Sequence, residues 1–524
     1  MPMHRKHKAQ LNNRSLLVAV PLALLAMSSA IGAGIDESMR KASLAQRIEK
    51  LEAIKAVERL QYAYGYYQDR FLFDQLPALF ASKGTAAHFD GGVWEGPDGV
   101  RRLWTGYFRN TYAKGATGPV AGRMFDLPQW QSVVTISADG LSARGRFRTV
   151  GELAIYREME DMVAGVYEND FIKENGLWKF KSLRFCTTWR APYGDGWKDI
   201  EASSPHRLSL FPESPDGPDR VASKDELCSD RYPENAGVMP FHFVNPGKVT
   251  KASQVATPIA GLLGVTDLER RAASLKSANE IERFHNIFLY QQDNRLFDYQ
   301  VDLFSELPGS ESVFFNGVFS GRNGQRRLWA GRFGGAIRGV NMPVFGYLID
   351  NHGGQGIIDI APDGQSAVSR FRTSRDPGLV YQGMGVGGDS SIGIYQSKVY
   401  RAQYVKEDGV WKFYKWSVCI YAQGYIGSGY AVLPKAGRMG IPLDFRAEDW
   451  KKLDFTQDVI VKSEGAVGQG NELYPLRPLG PDRVMSTEES GCYLARNQVM
   501  SLASIVPFHF LHPVTGQAVT WPNK

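Results

Sequence analysis

The chain has 524 residues, 43% hydrophobic and 22% charged, with 61 Lys and Arg against 55 Asp and Glu, giving a formal charge of +6. This composition excludes a disordered or low-complexity chain and gives enough length for three or four average domains. Residues 1–30 hold four basic residues and no acid, so the remainder carries only +2 (6 minus 4), and no Lys/Arg cluster is left to follow a phosphate backbone.

The N-terminal residues read as an export signal rather than as fold. Arg5, Lys6, Lys8 and Arg14 precede an apolar run, Ser15–Met27, and the small residues Ser28, Ser29 and Ala30 follow. That order is the signature of a secretory signal peptide, and the run is shorter than the ~20 residues of a membrane-spanning helix. The expectation is a periplasmic or secreted protein with no stable membrane span after processing at residues 1–30.

Next, Leu44–Tyr67 carries apolar residues at helical spacing (Ile48, Leu51, Ile54, Val57, Leu60, Tyr64), which predicts a long amphipathic helix. A short helix is expected over Phe73–Ala81 and a strand over Ala86–Trp94. A turn at Gly96-Pro97-Asp98-Gly99 and a helix over Val100–Tyr112 complete this part. Strands follow: Gln131–Ser137, a hairpin turn at Asp139-Gly140, Ser142–Val150, then Met162–Lys173 and Leu177–Phe185 across Glu174-Asn175-Gly176.

The same order then recurs. Tyr66-Tyr67-Gln68-Asp69 returns as Tyr290-Gln291-Gln292-Asp293, and Arg101-Arg102-Leu103-Trp104 as Arg326-Arg327-Leu328-Trp329. Arg146-Phe147-Arg148-Thr149 returns as Arg370-Phe371-Arg372-Thr373. A period this long marks two whole domains and not a solenoid. Both copies end in one phrase, Pro240-Phe241-His242-Phe243 before Pro246 and Pro507-Phe508-His509-Phe510 before Pro513. The expected layout is residues 40–246, a linker over 247–266, and residues 267–515. Helices first and a strand meander afterwards give an α+β class: two curved antiparallel sheets, each covered by N-terminal helices and carrying an extended Pro-rich tail.

The second copy has nine more residues between its Thr and Tyr landmarks (Thr149 to Tyr167, Thr373 to Tyr400), around Gly383–Gly388. The glycines there fit a dinucleotide fingerprint formally, but no strand–turn–helix unit surrounds them; a flap or hairpin loop is expected instead. Cys186 with Cys228 and Cys419 with Cys492 recur as matched pairs, which in an exported chain suggests one disulfide per copy or, failing that, buried thiols.

The ordered set of Tyr-x-x-Asp, the Arg-Arg-Leu-Trp segment, the Ala-Asp-Gly hairpin with Ser-Ala-Arg-Gly-Arg-Phe-Arg, and the closing Gly-x-Trp-Lys-Phe resembles the SnoaL-like group of the nuclear-transport-factor-like superfamily. The resemblance covers about residues 44–190 and 275–420. It implies a sheet rolled into a cone around a deep pocket that the long helix closes. In that group a carboxylate, often with a His and tyrosines, moves a proton on a hydrophobic ring compound, whereas other members only bind or dimerise. Carried over by position, Asp69 and Asp293 are the carboxylates, Tyr66 and Tyr290 the hydroxyls, and His352 and His88 the bases of the second and first copies. Asp126, Asp350, Arg148 and Arg372 are candidates to touch the substrate. Gln68 and Gln292 stand directly before the Asp, where scytalone dehydratase has a Tyr, and neither copy shows a full pair of pocket histidines.

The physical reason for such a dyad is that a carboxylate fixes one imidazole nitrogen and leaves the other as a base near neutral pH. No metal-ligand spacing, P-loop or nucleophile elbow is visible, so the expected chemistry needs neither metal nor cofactor. The reading is an exported lyase that dehydrates, or eliminates from, a small hydrophobic hydroxylated or aromatic ring compound. An isomerase or cyclase with the same groups, or a non-catalytic periplasmic binding or scaffold protein, are the alternatives. Fused copies suggest a monomer with an internal pseudo-dimer and no nucleic-acid partner.

Overall fold

The computed structural model describes residues 19–89, 91–120, 122–155, 158–194, 215–223, 226, 242–243, 265–314, 317–335, 347–375, 378–381, 390–425, 481–484 and 508–519. The Gly383–Gly388 loop, Cys228, Cys492, and most of the signal segment and of the linker lie outside these residues. Among the described residues no helix is long and apolar enough to cross a membrane.

Helix α1 runs Ala19–Asp69 and buries Ile48, Val57, Leu60 and Tyr64, while Leu51, expected on the same stripe, faces solvent. The chain leaves it through Phe71 at φ 53°, a left-handed residue that lets Leu72 N–H reach Tyr67 O. Two short 3-10 turns, Phe73–Gln75 and Pro77–Leu79, stand where one helix was expected. The expected single strand is a hairpin, β1 Ala86–Phe89 and β2 Gly92–Glu95. The expected turn at Gly96–Gly99 is instead the first turn of α2 Gly96–Arg101. Pro97 suits that place because its missing N–H would have no helical acceptor. Wider turns over Arg102–Phe108 carry the helix on to α3 Arg109–Ala113.

The meander comprises β3 Arg123–Asp126, β4 Trp130–Ile136, β5 Ser142–Ile155, β6 Met159–Glu174 and β7 Leu177–Pro192, with β8 Arg220–Val221 at the far edge. The sheet order is β3-β5-β6-β7-β1-β2-β8, with β4 also on β5; β1 joins β7 in parallel and the other pairs are antiparallel. β5 alternates strictly at first: Ala143, Gly145, Phe147 and Thr149 are buried, while Arg144 and Arg148 are exposed. The inner face packs Tyr64, Trp104, Phe147, Tyr167 and Phe180 into one core under α1.

The second half presents the same order. α4 Val265–Asp293 ends at a left-handed Arg295, and α5 Phe297–Asp302 follows. Then come β9 Glu311–Phe314, β10 Gly317–Ser320 and α6 Gly321–Arg326. Its meander is β11 Tyr347–Leu348, β12 Asn351–Ile360, β13 Ser366–Arg375, β14 Gly378–Tyr381, β15 Ser390–Glu407 and β16 Val410–Tyr425, with β17 Arg483–Val484 at the edge. The sheet order is β11-β14-β15-β16-β9-β10-β17, with β13 between β12 and β15. Cys186 and Cys419 are both disulfide-bonded.

The two halves meet through unlike surfaces. α1 lies beside α4, joined by Arg271–Glu52 and Lys55–Glu282, and its C-terminal half lies on the outer face of the second sheet. There Arg372, on β13, reaches both Asp69 at the end of α1 and Asp126 at the end of β3, and Ser397 donates to the other Asp126 oxygen. All three charged groups are buried. A bulge at Gln355 (φ 52°) pushes that residue into the first half. Its carbonyl accepts from Tyr66 OH at 2.9 Å, and its amide nitrogen donates to Tyr62 O at 3.0 Å. Gly65 makes room, since a Cβ there would lie 2.6 Å from Gln129 Cγ and 2.8 Å from Gln355 Nε2. The matching residues of the other half do not repeat these contacts. Gln131, at the same bulge (φ 51°), is exposed, as are Arg148 and Tyr290, the last by 70%. The polar contacts of the seam are therefore one-sided, made by Arg372 and Gln355 of the second half and not by the matching Arg148 and Gln131 of the first.

Arg372→Met is expected to destabilise the fold by about 3–5 kcal/mol in urea unfolding, because it leaves two carboxylates buried without their cation. Arg144→Ala, on the exposed Arg144–Asp170 pair, should cost under about 1 kcal/mol.

Candidate functional site

The first half does not assemble its expected dyad. Asp69 accepts from Leu127 N at 3.2 Å and from Arg372, while His88 lies on β1 beside Arg184, Glu226, Arg220 and Glu95. No hydrogen bond joins Asp69 and His88 among the described residues. Burial, with Arg184 adding to it, lowers the His88 imidazole to about 4, so it is neutral and its Nδ1 has no hydrogen-bond partner. Tyr66 is spent on Gln355, and burial pushes its hydroxyl up to about 12 against the pull of Arg370 and Arg372. Arg148 is exposed, whereas Arg372 and Asp126 are buried between the halves rather than in a cone.

The expected pair of the second half also fails, for a reason of strand parity. On β12 Asn351 points inward and His352 outward. His352 is half exposed and its Nε2 lies 3.4 Å from Asp350, itself exposed. Asn351 takes the inward place: its Nδ2 donates to Asp293 Oδ1 at 2.6 Å and its backbone N–H donates to the same oxygen at 3.1 Å. Tyr290 faces solvent.

Asn351 leads to a polar group that the sequence reading missed. Lys398, on β15 and 1% exposed, sends Nζ to Asn351 Oδ1 at 3.3 Å and to Tyr400 OH at 3.5 Å. Tyr400 OH donates to Gln292 Oε1 at 3.5 Å, which also accepts from Asn351 Nδ2 at 3.4 Å. Asp293, Asn351, Lys398, Tyr400 and Gln292 thus form one chain of contacts under the end of α4. Trp416, Trp329 and Phe288 close around it; the Tyr400 and Trp416 rings are 5.4 Å apart. An ammonium removed from water is costly unless it is paired and bonded, so such a group is a site candidate on physical grounds. The signal was present in the sequence: Lys398 shares its parity with Tyr400 and Tyr404, both inward aromatics.

His285 is the other overlooked group. It lies on α4 fully inside the second core, stacked on Phe371 with centroids 3.9 Å apart, and its Nε2 has no partner among the described residues. Burial alone lowers it to about 3. The matching Gln61 of the first half is instead in a closed network with Gln129 and Asn169.

Residues 49–184 match the family model of the SnoaL-like domain. Among solved structures, part of the chain is similar to a hexachlorocyclohexane dehydrochlorinase from Novosphingobium barchaimii. That likeness has 17% identity and a TM-score of 0.24, and covers 31% of this chain and 99% of that one. Part is also similar to a putative scytalone dehydratase from Novosphingobium aromaticivorans, with 19% identity, a TM-score of 0.23, and 29% of this chain and 89% of that one covered. No curated protein matches the chain.

The His285 shift fixes a sign. Its folded value lies below the unfolded one, so its contribution is present above about pH 6.5 and is lost as the pH falls from there toward about 3, with a slope of at most ~1.4 kcal/mol per pH unit. His285→Gln is expected to flatten the decline of stability over that window in pH-dependent urea unfolding.

Proposed function

We propose that this chain, whose residues 49–184 belong to the SnoaL-like domain family within the nuclear-transport-factor-like fold, is a small-molecule lyase whose chemistry lies in its second half. The observation that carries the reading is the run Asp293–Asn351–Lys398–Tyr400, half-buried at Asp293 and buried from Asn351 onward. It sets a carboxylate, an ammonium and a phenol around one aromatic-walled interior, the set that proton transfer on an apolar ring compound needs.

In this reading Asp293 takes a proton from the carbon next to the leaving group. Asn351 holds that carboxylate by two donors and so fixes the oxygen that acts. The C–O bond breaks as Tyr400 gives its proton to the departing hydroxyl, which leaves as water. Lys398, beside the phenol, stabilises the negative charge that develops on the Tyr400 oxygen and returns a proton to it, and the proton taken up by Asp293 passes back to Lys398 through solvent, so that all three groups are restored. The products are an unsaturated ring and water, and no cofactor enters the balance. The same groups would serve an isomerase, with the proton returned to another carbon.

The second half would be a SnoaL-like domain in its own right, within the layout 40–246 and 267–515, and the mature protein would work in the periplasm or outside the cell. A screen of hydroxylated ring compounds by mass spectrometry tests the function. Asp293→Asn, Lys398→Met and Tyr400→Phe are each expected to lower turnover by roughly 10²- to 10⁴-fold. Asp69→Asn, normalised for folded protein, should leave it nearly intact. Turnover that survives Asp293→Asn and Lys398→Met would remove the second half from the mechanism.

A further inference from the structure

The Pro-Phe-His-Phe phrase ends both halves, and the two tails differ just after it. Phe510 is followed by Leu511-His512-Pro513, and Phe243 by Val244-Asn245-Pro246. A titratable ring stands in the second tail where the first has an amide. Residues 508–519 show what that ring does. Phe510 is buried and, with Phe508, packs on Tyr66 and Tyr67 of α1. Beyond it Leu511 and Ala518 form an isolated bridge. His512 N–H donates to Gln517 O at 2.8 Å and Gly516 N–H donates to His512 O at 2.9 Å. The chain thus folds back in a hook, whose Val514 and Val519 pack into the first core.

His512 holds the hook from both of its ring nitrogens. The residue is buried, and its ring stacks on Tyr67 with centroids 5.5 Å apart and planes 13° apart. Nδ1 accepts from Val514 N–H at 3.2 Å and from Thr515 N–H at 3.1 Å, which closes the turn. Nε2 lies 3.0 Å from Gln75 O, on the first 3-10 turn after α1; a carbonyl only accepts, so Nε2 carries the hydrogen. One form of the ring satisfies all three contacts, the neutral imidazole protonated on Nε2. A second proton would sit on Nδ1, facing two N–H donors, and both amides would lose their acceptor. No charged side chain among the described residues bonds the ring to offset this. Burial keeps the facing Tyr67 hydroxyl neutral, and Asp74, beside Gln75, is held by Arg109 and Thr117. His509 faces Asp359, with Arg59, Arg370 and Arg401 near it; burial and these cations lower it to about 4, so it charges only in stronger acid.

We propose that residues 508–519 are a latch between the second tail and the first half, and that acid opens it by protonating His512. Opening uncovers the aromatic face that Tyr66 and Tyr67 share with Phe508 and Phe510. It also loosens Arg370, which lies 4.7 Å from the Tyr66 and Phe508 ring centroids at the seam. Removal from water lowers the His512 imidazole from its ordinary value, and the bond to Gln75 O only partly opposes this. The closed latch therefore has its full stability above about pH 6.5 and loses it as the pH falls from there, by at most about tenfold per pH unit.

Hydrogen–deuterium exchange of the full chain follows the latch from about pH 7.5 to about pH 5, read by mass spectrometry on C-terminal peptides and corrected for the intrinsic effect of pH. The hook is expected to lose protection several-fold over this range while β6 and β7 stay protected. The midpoint should coincide with the titration of the His512 ring, followed by NMR of histidine-labelled protein. His512→Asn sets a carbonyl oxygen that does not titrate where Nδ1 stands, the residue type of the first tail; it should keep the hook closed at the upper pH and abolish the response. His512→Ala should open the hook at both ends of the range, and His509→Gln should keep the response. A hook unchanged by pH, one that opens only together with β6 and β7, a midpoint away from the His512 titration, or a response that survives His512→Asn would overturn the latch.

Discussion

The buried bridge from Arg372 to Asp69 and Asp126 is the contact on which the rest of the arrangement depends. Three charges are taken out of water together, a state that is tolerable only when geometry and added bonds compensate, as Ser397 and Leu127 N–H do here. The bridge fixes how the second sheet sits on the first helix. It also engages the carboxylate of the first half, with one Asp69 oxygen on Arg372 and the other on Leu127 N–H. The Phe508–Phe510 tail seals the same seam, packing on Tyr66 and Tyr67.

One consequence is a division of labour between halves that share a plan. The first half offers its helix end and strand corner as a docking surface and closes its own interior with Phe185 and the Gln61–Gln129–Asn169 network. The second half offers the outside of its sheet, and its interior remains polar. Outer-face residues of β13 and β15 (Arg370, Arg372, Ser397) serve the seam, while inner-face residues of the same strands (Thr373, Lys398, Tyr400) face the second core. Period-two alternation thus lets two strands carry the seam on one side and the polar group of the second half on the other.

Much of the fold was legible because it rests on local patterns. The spacing of Ile48, Val57, Leu60 and Tyr64, the Asp139-Gly140 hairpin and the recurrence at an offset of 224 residues each dictate an element or its repetition. The boundaries that shifted have local causes. Pro97 opens a helix as readily as it makes a turn, and Gly91 (φ 84°) divides one apolar run into two strands. The site was less legible. Asp293 could be found from its repeat, but its partner depends on which face of β12 each residue takes, and the turn that enters the strand sets that parity. His352 stood out by residue type and Asn351 did not. Arg372 and Asp69 are 303 residues apart, and no periodicity relates them.

The central claim is that the second interior, and not the first, is the working chamber. Trp416 and Trp104 report on the two separately. Fluorine NMR of protein labelled with 5-fluorotryptophan, with the two resonances assigned by substitution, follows both while a hydroxylated ring compound from the turnover screen is added. The account predicts that the Trp416 resonance moves with saturation and that Trp104 stays still. Movement of Trp104 with Trp416 unchanged would contradict it.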